Sequence, residues 1–135
     1  MHTSEVIYLG DLRTEAKHLA SNHIIHTDAP VDNHGKGERF SPTDLLSTSL
    51  AQCMITVMGI EANKMGLDLK GTKASVKKVM KLTPRKVARI EITIHLPEAA
   101  KEHHELMQET ALNCPVALSL HPDVSKQVDL IYGLE

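Results

Sequence analysis

Two side chains in this sequence can make and break covalent bonds with an oxidant. They are the thiols of Cys53 and Cys114, the only cysteines in 135 residues. Cys53 lies midway along an apolar stretch, where a cysteine often only fills space and where burial raises a thiol's pKa. A reactive Cys53 therefore needs a cation or a hydrogen-bond donor from elsewhere in the fold. Cys114 immediately precedes Pro115 at the start of a short helical pattern. At such an N-cap position the N–H groups of the first turn and the helix dipole favour the thiolate. One thiol in apolar surroundings and one at a helix N-terminus suit a redox cycle in which one attacks and the other closes the resulting sulfenic acid into a disulfide. Their wide separation excludes a local C-x-x-C motif. With only two thiols, a reducing, cytoplasmic setting is expected, where cysteines are more often free or catalytic than bridged.

A thiol that reacts with a hydroperoxide also requires a fixed cation, to favour the thiolate and to stabilise the leaving oxygen. Arg39 ends a polar loop just before the Cys53 helix, and Arg13 lies on an early strand beside Glu15. Arg85 and Arg89 fall in a turn and on the polar face of a strand, where solvation is the simpler reading. The nine histidines raise the idea of a metal-binding stress protein, but their spacing does not support it. His103 and His104 diverge on a helix, His23 and His26 point to opposite faces of a strand, and no H-E-x-x-H or Cys/His ligand cluster occurs. No metal and no resident cofactor are expected. No G-x-S-x-G, P-loop or dinucleotide fingerprint is present, and Gly35-Lys36-Gly37 is too short to cradle a phosphate.

The elements that must position these residues follow from periodicity. Residues 4–9, 13–19 and 23–27 read as a small antiparallel meander. Residues 28–40 form a polar Gly/Pro/Asp/Asn loop of the length often found at functional sites. Ser41-Pro42-Thr43-Asp44 reads as a helix start, with Ser41 as N-cap, Pro42 at the first helical position and Asp44 completing a capping box. The helix is expected over 42 to about 65, roughly 36 Å long, and stops at Gly66. Leu46, Leu50, Cys53, Val57 and Ile60 share one face, while Leu45, Met54, Met58 and Ala62 share another. No charge falls between Asp44 and Glu61, so the helix is apolar nearly all round and calls for burial on most sides. Strands are expected at 67–82, 87–96 and 126–132, and helices at 98–112 and 115–120. The order β-β-β-α-β-β-α-α-β, with hairpins rather than regular βαβ units, predicts an α+β class in one domain spanning residues 1–135.

Composition narrows the partners. Aromatics make up 2% of the chain and the net charge is −2. Neither base-stacking platforms nor a basic field for nucleic acid or anionic membrane is available. No apolar run of spanning length and no signal-peptide layout are apparent. The core, and any pocket around Cys53, must be aliphatic. A chain of this size does not cover such a helix alone, so a homodimer is expected.

Phe40-Ser41-Pro42-Thr43-Asp44-Leu45-Leu46 with Cys53 on the same helix, together with Asn113-Cys114-Pro115-Val116, resemble the OsmC/Ohr family. These are the osmotically inducible protein C and organic hydroperoxide resistance proteins of bacteria, and the element order matches over nearly the whole chain. The resemblance implies an OsmC-like fold, with small antiparallel sheets around a long central cysteine-bearing helix, in an intertwined homodimer with two active sites at the subunit interface. It implies reduction of a small apolar hydroperoxide to an alcohol. Cys53 attacks the distal peroxide oxygen, Cys114 resolves the sulfenic acid, and an external dithiol, lipoylated in some members, reduces the disulfide. Leu46, Leu50, Met54 and Val57 would line the pocket. One departure stands out. Family members carry a Glu directly after the helix-start Pro, orienting the catalytic arginine; here Thr43 holds that place, with Asp44 next to it as a cap or an alternative orienter. Neither Arg13 nor Arg39 is singled out as that arginine. The departure leaves open a non-enzymatic reading, a stress protein binding an apolar ligand at the dimer interface.

Overall fold

A computed structural model describes residues 1–134. The chain forms two compact units, residues 1–46 and Ser47 onward.

The first unit is the expected meander. Strands β1 (Ser4–Gly10), β2 (Arg13–His18) and β3 (Ile24–Asp28) pair antiparallel in the order β1-β2-β3. The first turn is built from three left-handed residues in succession, Gly10, Asp11 and Leu12. The loop after β3 is closed rather than open. The Asp28 N–H donates to the Phe40 carbonyl at 3.1 Å, joining its ends, and Val31–Asn33 makes a single 3-10 turn inside it. Gly35 permits this compactness, since a Cβ there would lie 1.8 Å from the Ala29 carbonyl oxygen.

Helix α1 (Pro42–Lys64) starts and stops as its sequence requires. The Ser41 Oγ accepts the Asp44 N–H at 3.1 Å while Asp44 Oδ2 accepts the Ser41 N–H at 3.0 Å. This reciprocal pair is the capping box. At the other end Gly66 adopts φ +71°. The Gly66 N–H bonds the Asn63 carbonyl and the Leu67 N–H bonds the Ala62 carbonyl, the paired closure of a glycine-terminated helix.

In the second unit β4 (Lys73–Leu82) and β5 (Arg85–Leu96) form a hairpin across Thr83-Pro84, and β6 (Ser125–Tyr132) lies on the far side of β5. Strand β5 alternates as expected, with Val87, Ile90, Ile92, Ile94 and Leu96 buried. They share a core with Leu50, Met54, Met58 and Ala62 of α1 and with Met107 and Ala111. Each such side chain contributes roughly 1.5–3 kcal/mol by burial.

Several expectations needed adjustment. β4 begins at Lys73 rather than 67, because Leu69 to Thr72 make a turn with Gly71 at φ +93°. The 98–112 segment divides into a 3-10 stretch, Glu98–His103, and helix α2 (His104–Leu112), followed by α3 (Pro115–Ser119). β6 runs parallel to β5, so this connection is a crossover and not a hairpin. Finally, α1 is long and apolar enough, by length and composition, to cross a membrane, with a mean hydropathy of 1.3. Its Leu50, Met54, Met58 and Ala62 are nevertheless fully buried in the protein core, while Leu46 and Ile60 on the other face are 40% and 50% exposed.

Candidate active-site residues

The two thiols come together in the second unit. Cys53 packs half-buried against the core from the middle of α1, and Cys114 is buried at the N-cap of α3. Both are free thiols, and they lie close enough for Cys53 to influence the ionisation of Cys114. The Cys114 Sγ also accepts the Ala117 N–H at 3.4 Å, so the cap contact anticipated from Cys114-Pro115 exists. Its electrostatic consequence is the reverse of that expectation. Burial pushes the Cys114 thiol up, and this outweighs the Ala117 and Val116 N–H groups that favour the thiolate. The neighbouring Cys53 pushes it further in the same direction. Cys114 is therefore held protonated, because five-residue α3 offers two N–H groups against nearly complete loss of water.

The residues expected around Cys53 divide. Leu50 and Met54 are fully buried and Val57 partly so, giving Cys53 aliphatic neighbours on its own helix in the second unit. Leu46 lies in the first unit and is 40% exposed. A cavity of about 580 Å³ opens elsewhere in the second unit, lined by Lys73, Ser75, His95 and Tyr132 among others, with no cysteine on its wall.

The first unit contains the charged cluster. Register places Arg13 opposite Asp28, and the guanidinium grips that carboxylate with both prongs, Nε to Oδ1 at 2.6 Å and Nη2 to Oδ2 at 2.9 Å. Nη2 also donates to Glu38 Oε1 at 2.9 Å, and the Glu38 N–H donates back to Asp28 Oδ2 at 3.1 Å. Asp28 is 1% exposed, and its hydrogen bonds from Arg13 lower its pKa from 3.8 to about 2. The same contacts raise that of Arg13. Arg39 is exposed, donates to the Glu38 carbonyl at 3.4 Å and helps to lower the pKa of Asp28 through its charge. Asp44 is engaged as the helix cap, and Thr43 Oγ1 lies 3.3 Å from Ser41 Oγ in the same turn. Arg89 pairs with Glu91 at 3.3 Å on the outer strand face.

Asp28 and Glu38 were not apparent from sequence. Asp28 ends an apolar strand and reads as the first residue of a polar loop. The available signal was the meander itself: once β2 and β3 are paired, Arg13 and Asp28 become cross-strand partners. Among the described residues no group of three His, Cys, Asp or Glu side chains is arranged to hold a metal ion.

The model of the OsmC-like protein family matches residues 35–129. A crystal structure from Psychrobacter arcticus 273-4, described as an osmotic stress induced and detoxification response protein, is 54% identical with a TM-score of 0.93, covering 96% of each chain. An OsmC-like protein from Mycoplasma pneumoniae superposes with a TM-score of 0.80 at 15% identity, covering 99% of this chain and 98% of the other. An organic hydroperoxide resistance protein OsmC from Legionella pneumophila superposes at 0.70 with 16% identity, covering 97% and 98%. No curated protein matches the sequence.

Proposed function

The chain belongs to the OsmC-like family, and from that premise we propose that it is a thiol-dependent peroxidase reducing organic hydroperoxides to alcohols. The observation that supports this reading is the pair of neighbouring free thiols in the second unit, with burial pushing the Cys114 thiol up. We read the less buried Cys53 as the nucleophile and Cys114 as the resolving thiol. The Cys53 thiolate attacks the distal oxygen of ROOH, the O–O bond breaks, and the alkoxide takes up a proton and leaves as ROH. Cys53 is then a sulfenic acid. The Cys114 sulfur attacks the Cys53 sulfur, an S–S bond forms, and hydroxide leaves as water with the Cys114 proton. An external dithiol restores both thiols by exchange and is itself oxidised to a disulfide. No resident cofactor takes part, and a cytoplasmic setting supplies the dithiol.

The aliphatic neighbours Leu50, Met54 and Val57 favour a small apolar peroxide. The reading also calls for a cation, for which Arg13 and Arg39 are the candidates. We further read the functional unit as a homodimer, supported by β1, whose Val6, Ile7, Tyr8 and Leu9 are 68%, 58%, 63% and 50% exposed. Sedimentation at two concentrations tests that assembly.

Purified protein with a dithiol should consume cumene hydroperoxide, and Cys53→Ser should reduce the rate to that of the dithiol alone. One equivalent of peroxide without dithiol should yield a Cys53–Cys114 disulfide detectable by mass spectrometry. Equal rates for wild type and Cys53→Ser would end the proposal. Consumption no faster than free dithiol, with no disulfide, would favour a non-enzymatic protein binding an apolar ligand, the alternative that Thr43 in place of the family Glu raises.

A further inference from the structure

We propose that the cavity in the second unit binds a small amphiphilic carboxylate, its charged end on Lys73, Ser75 and His95 and its apolar body against Ile131, Tyr132 and Leu134. No cysteine lines this cavity, so the proposal stands apart from the thiol chemistry above. Its polar wall is set by strand register. His95 lies between Ile94 and Leu96, both fully buried, and alternation therefore turns it to the outer face of the sheet. Lys73 is its direct partner on β4, and Ile131 is its partner on β6. Ser75, two residues along β4, falls on the same face. One row across three strands thus sets an ammonium, an imidazole and an aliphatic side chain along the cavity wall.

The donors on this wall lack acceptors. Elsewhere on β5 the cations have carboxylates beside them, Arg89 with Glu91 at 3.3 Å and Lys86 with Asp123 at 3.9 Å. Among the described residues, the side chains of Lys73, Ser75 and His95 make no hydrogen bond or ion pair. A lysine opposite a histidine is not a stabilising cross-strand pair, so the register gathers donors without satisfying them. The carboxylate of Glu98 approaches the rim at Gly133, but it lies beside Lys101 at 3.9 Å. The apolar wall is held in place from behind. A 2.7 Å hydrogen bond joins the Tyr132 hydroxyl to His104 Nδ1, and the two rings meet edge-on with centroids 5.7 Å apart. Leu134 closes over Gly71, where a Cβ would lie 3.4 Å from Leu134 Cδ1. Ile131 and Leu134 remain 44% and 39% exposed. The wall is therefore formed in advance and still open, which keeps the reorganisation cost of binding small. The donor set selects the head group. An ammonium, a hydroxyl and an imidazole suit the two oxygens of a carboxylate, whereas the cavity has no arginine fork or helix N-terminus to match a phosphate.

The test titrates the full chain with octanoate, octan-1-ol and inorganic phosphate, read by calorimetry and by the His95 imidazole signals in NMR. Octanoate should bind at one equivalent per chain and shift the His95 signals. Octan-1-ol and phosphate each lack half of the match and should bind at least about tenfold more weakly. Lys73→Gln should weaken octanoate binding about tenfold, the scale of one charge-assisted hydrogen bond. Ile131→Ser should weaken it roughly fivefold through lost apolar contact and leave phosphate unchanged. Lys81→Gln, at the other end of β4, should leave octanoate binding at the wild-type level. Lys73 and Ile131 are exposed, so replacing them leaves the core intact. Absence of saturable octanoate binding would overturn the assignment. So would octan-1-ol or phosphate binding as tightly as octanoate, equal losses in Lys81→Gln and Lys73→Gln, or octanoate binding that leaves the His95 signals unmoved.

Discussion

Strands β1 and β5 are both rich in aliphatic residues, yet they end in opposite environments. In β5, Val87, Ile90, Ile92, Ile94 and Leu96 are between 0% and 4% exposed, because α1 and α2 supply a second layer for that face. In β1, Val6, Ile7, Tyr8 and Leu9 are all at least half exposed. The first unit is instead anchored by polar contacts, with Asp28 gathering Arg13 and the Glu38 backbone. The difference teaches that the second unit is stabilised mainly by burial and the first by directed hydrogen bonds. The proposed thiol chemistry sits beside the apolar core of the second unit.

This contrast can be broken by measurement, beginning with the largest effect. Ile92→Ala should lower the unfolding free energy by about 2–5 kcal/mol in urea denaturation, the cost of a cavity in a closed core. Ser41→Ala removes half of the capping box at the start of α1 and should lower stability by about 1 kcal/mol. A pH series probes the polar clamp. The carboxyl of Asp28 is held below its ordinary value, so its stabilisation is fully present above about pH 4 and is lost as pH falls toward about 2. The difference in Tm between wild type and Asp28→Asn should therefore be constant near neutrality and shrink in that acid window. The smallest effect is expected at β1, where Val6→Thr should change stability by no more than about 0.5 kcal/mol at protein concentrations that keep the chain monomeric. A larger loss at high concentration would show that a second copy covers this strand.

Much of the scaffold could be read directly. The capping box at Ser41 and Asp44, the stop at Gly66 and the alternation of β5 are local patterns, each set by residues within a few positions of one another. The parallel placement of β6 could not be read this way, because strand direction depends on where the 97–124 connection returns the chain. The candidate site divides similarly. Cys53 and Cys114 were identifiable by residue type and context. The protonation of Cys114 was not, since the favourable cap is local while the burial that outweighs it comes from the whole core. Asp28 illustrates the same limit: a carboxylate after a strand reads as loop until pairing places it across from Arg13.

The sequence by itself determined the aliphatic core, the limits of α1 and the two thiols. These follow from periodicity, capping chemistry and composition, which act over a few residues. Only the tertiary structure decided that burial raises the Cys114 thiol, which arginine is clamped and which aliphatic strand stays uncovered. Those outcomes depend on desolvation and cross-strand register, and both arise from residues far apart in the chain.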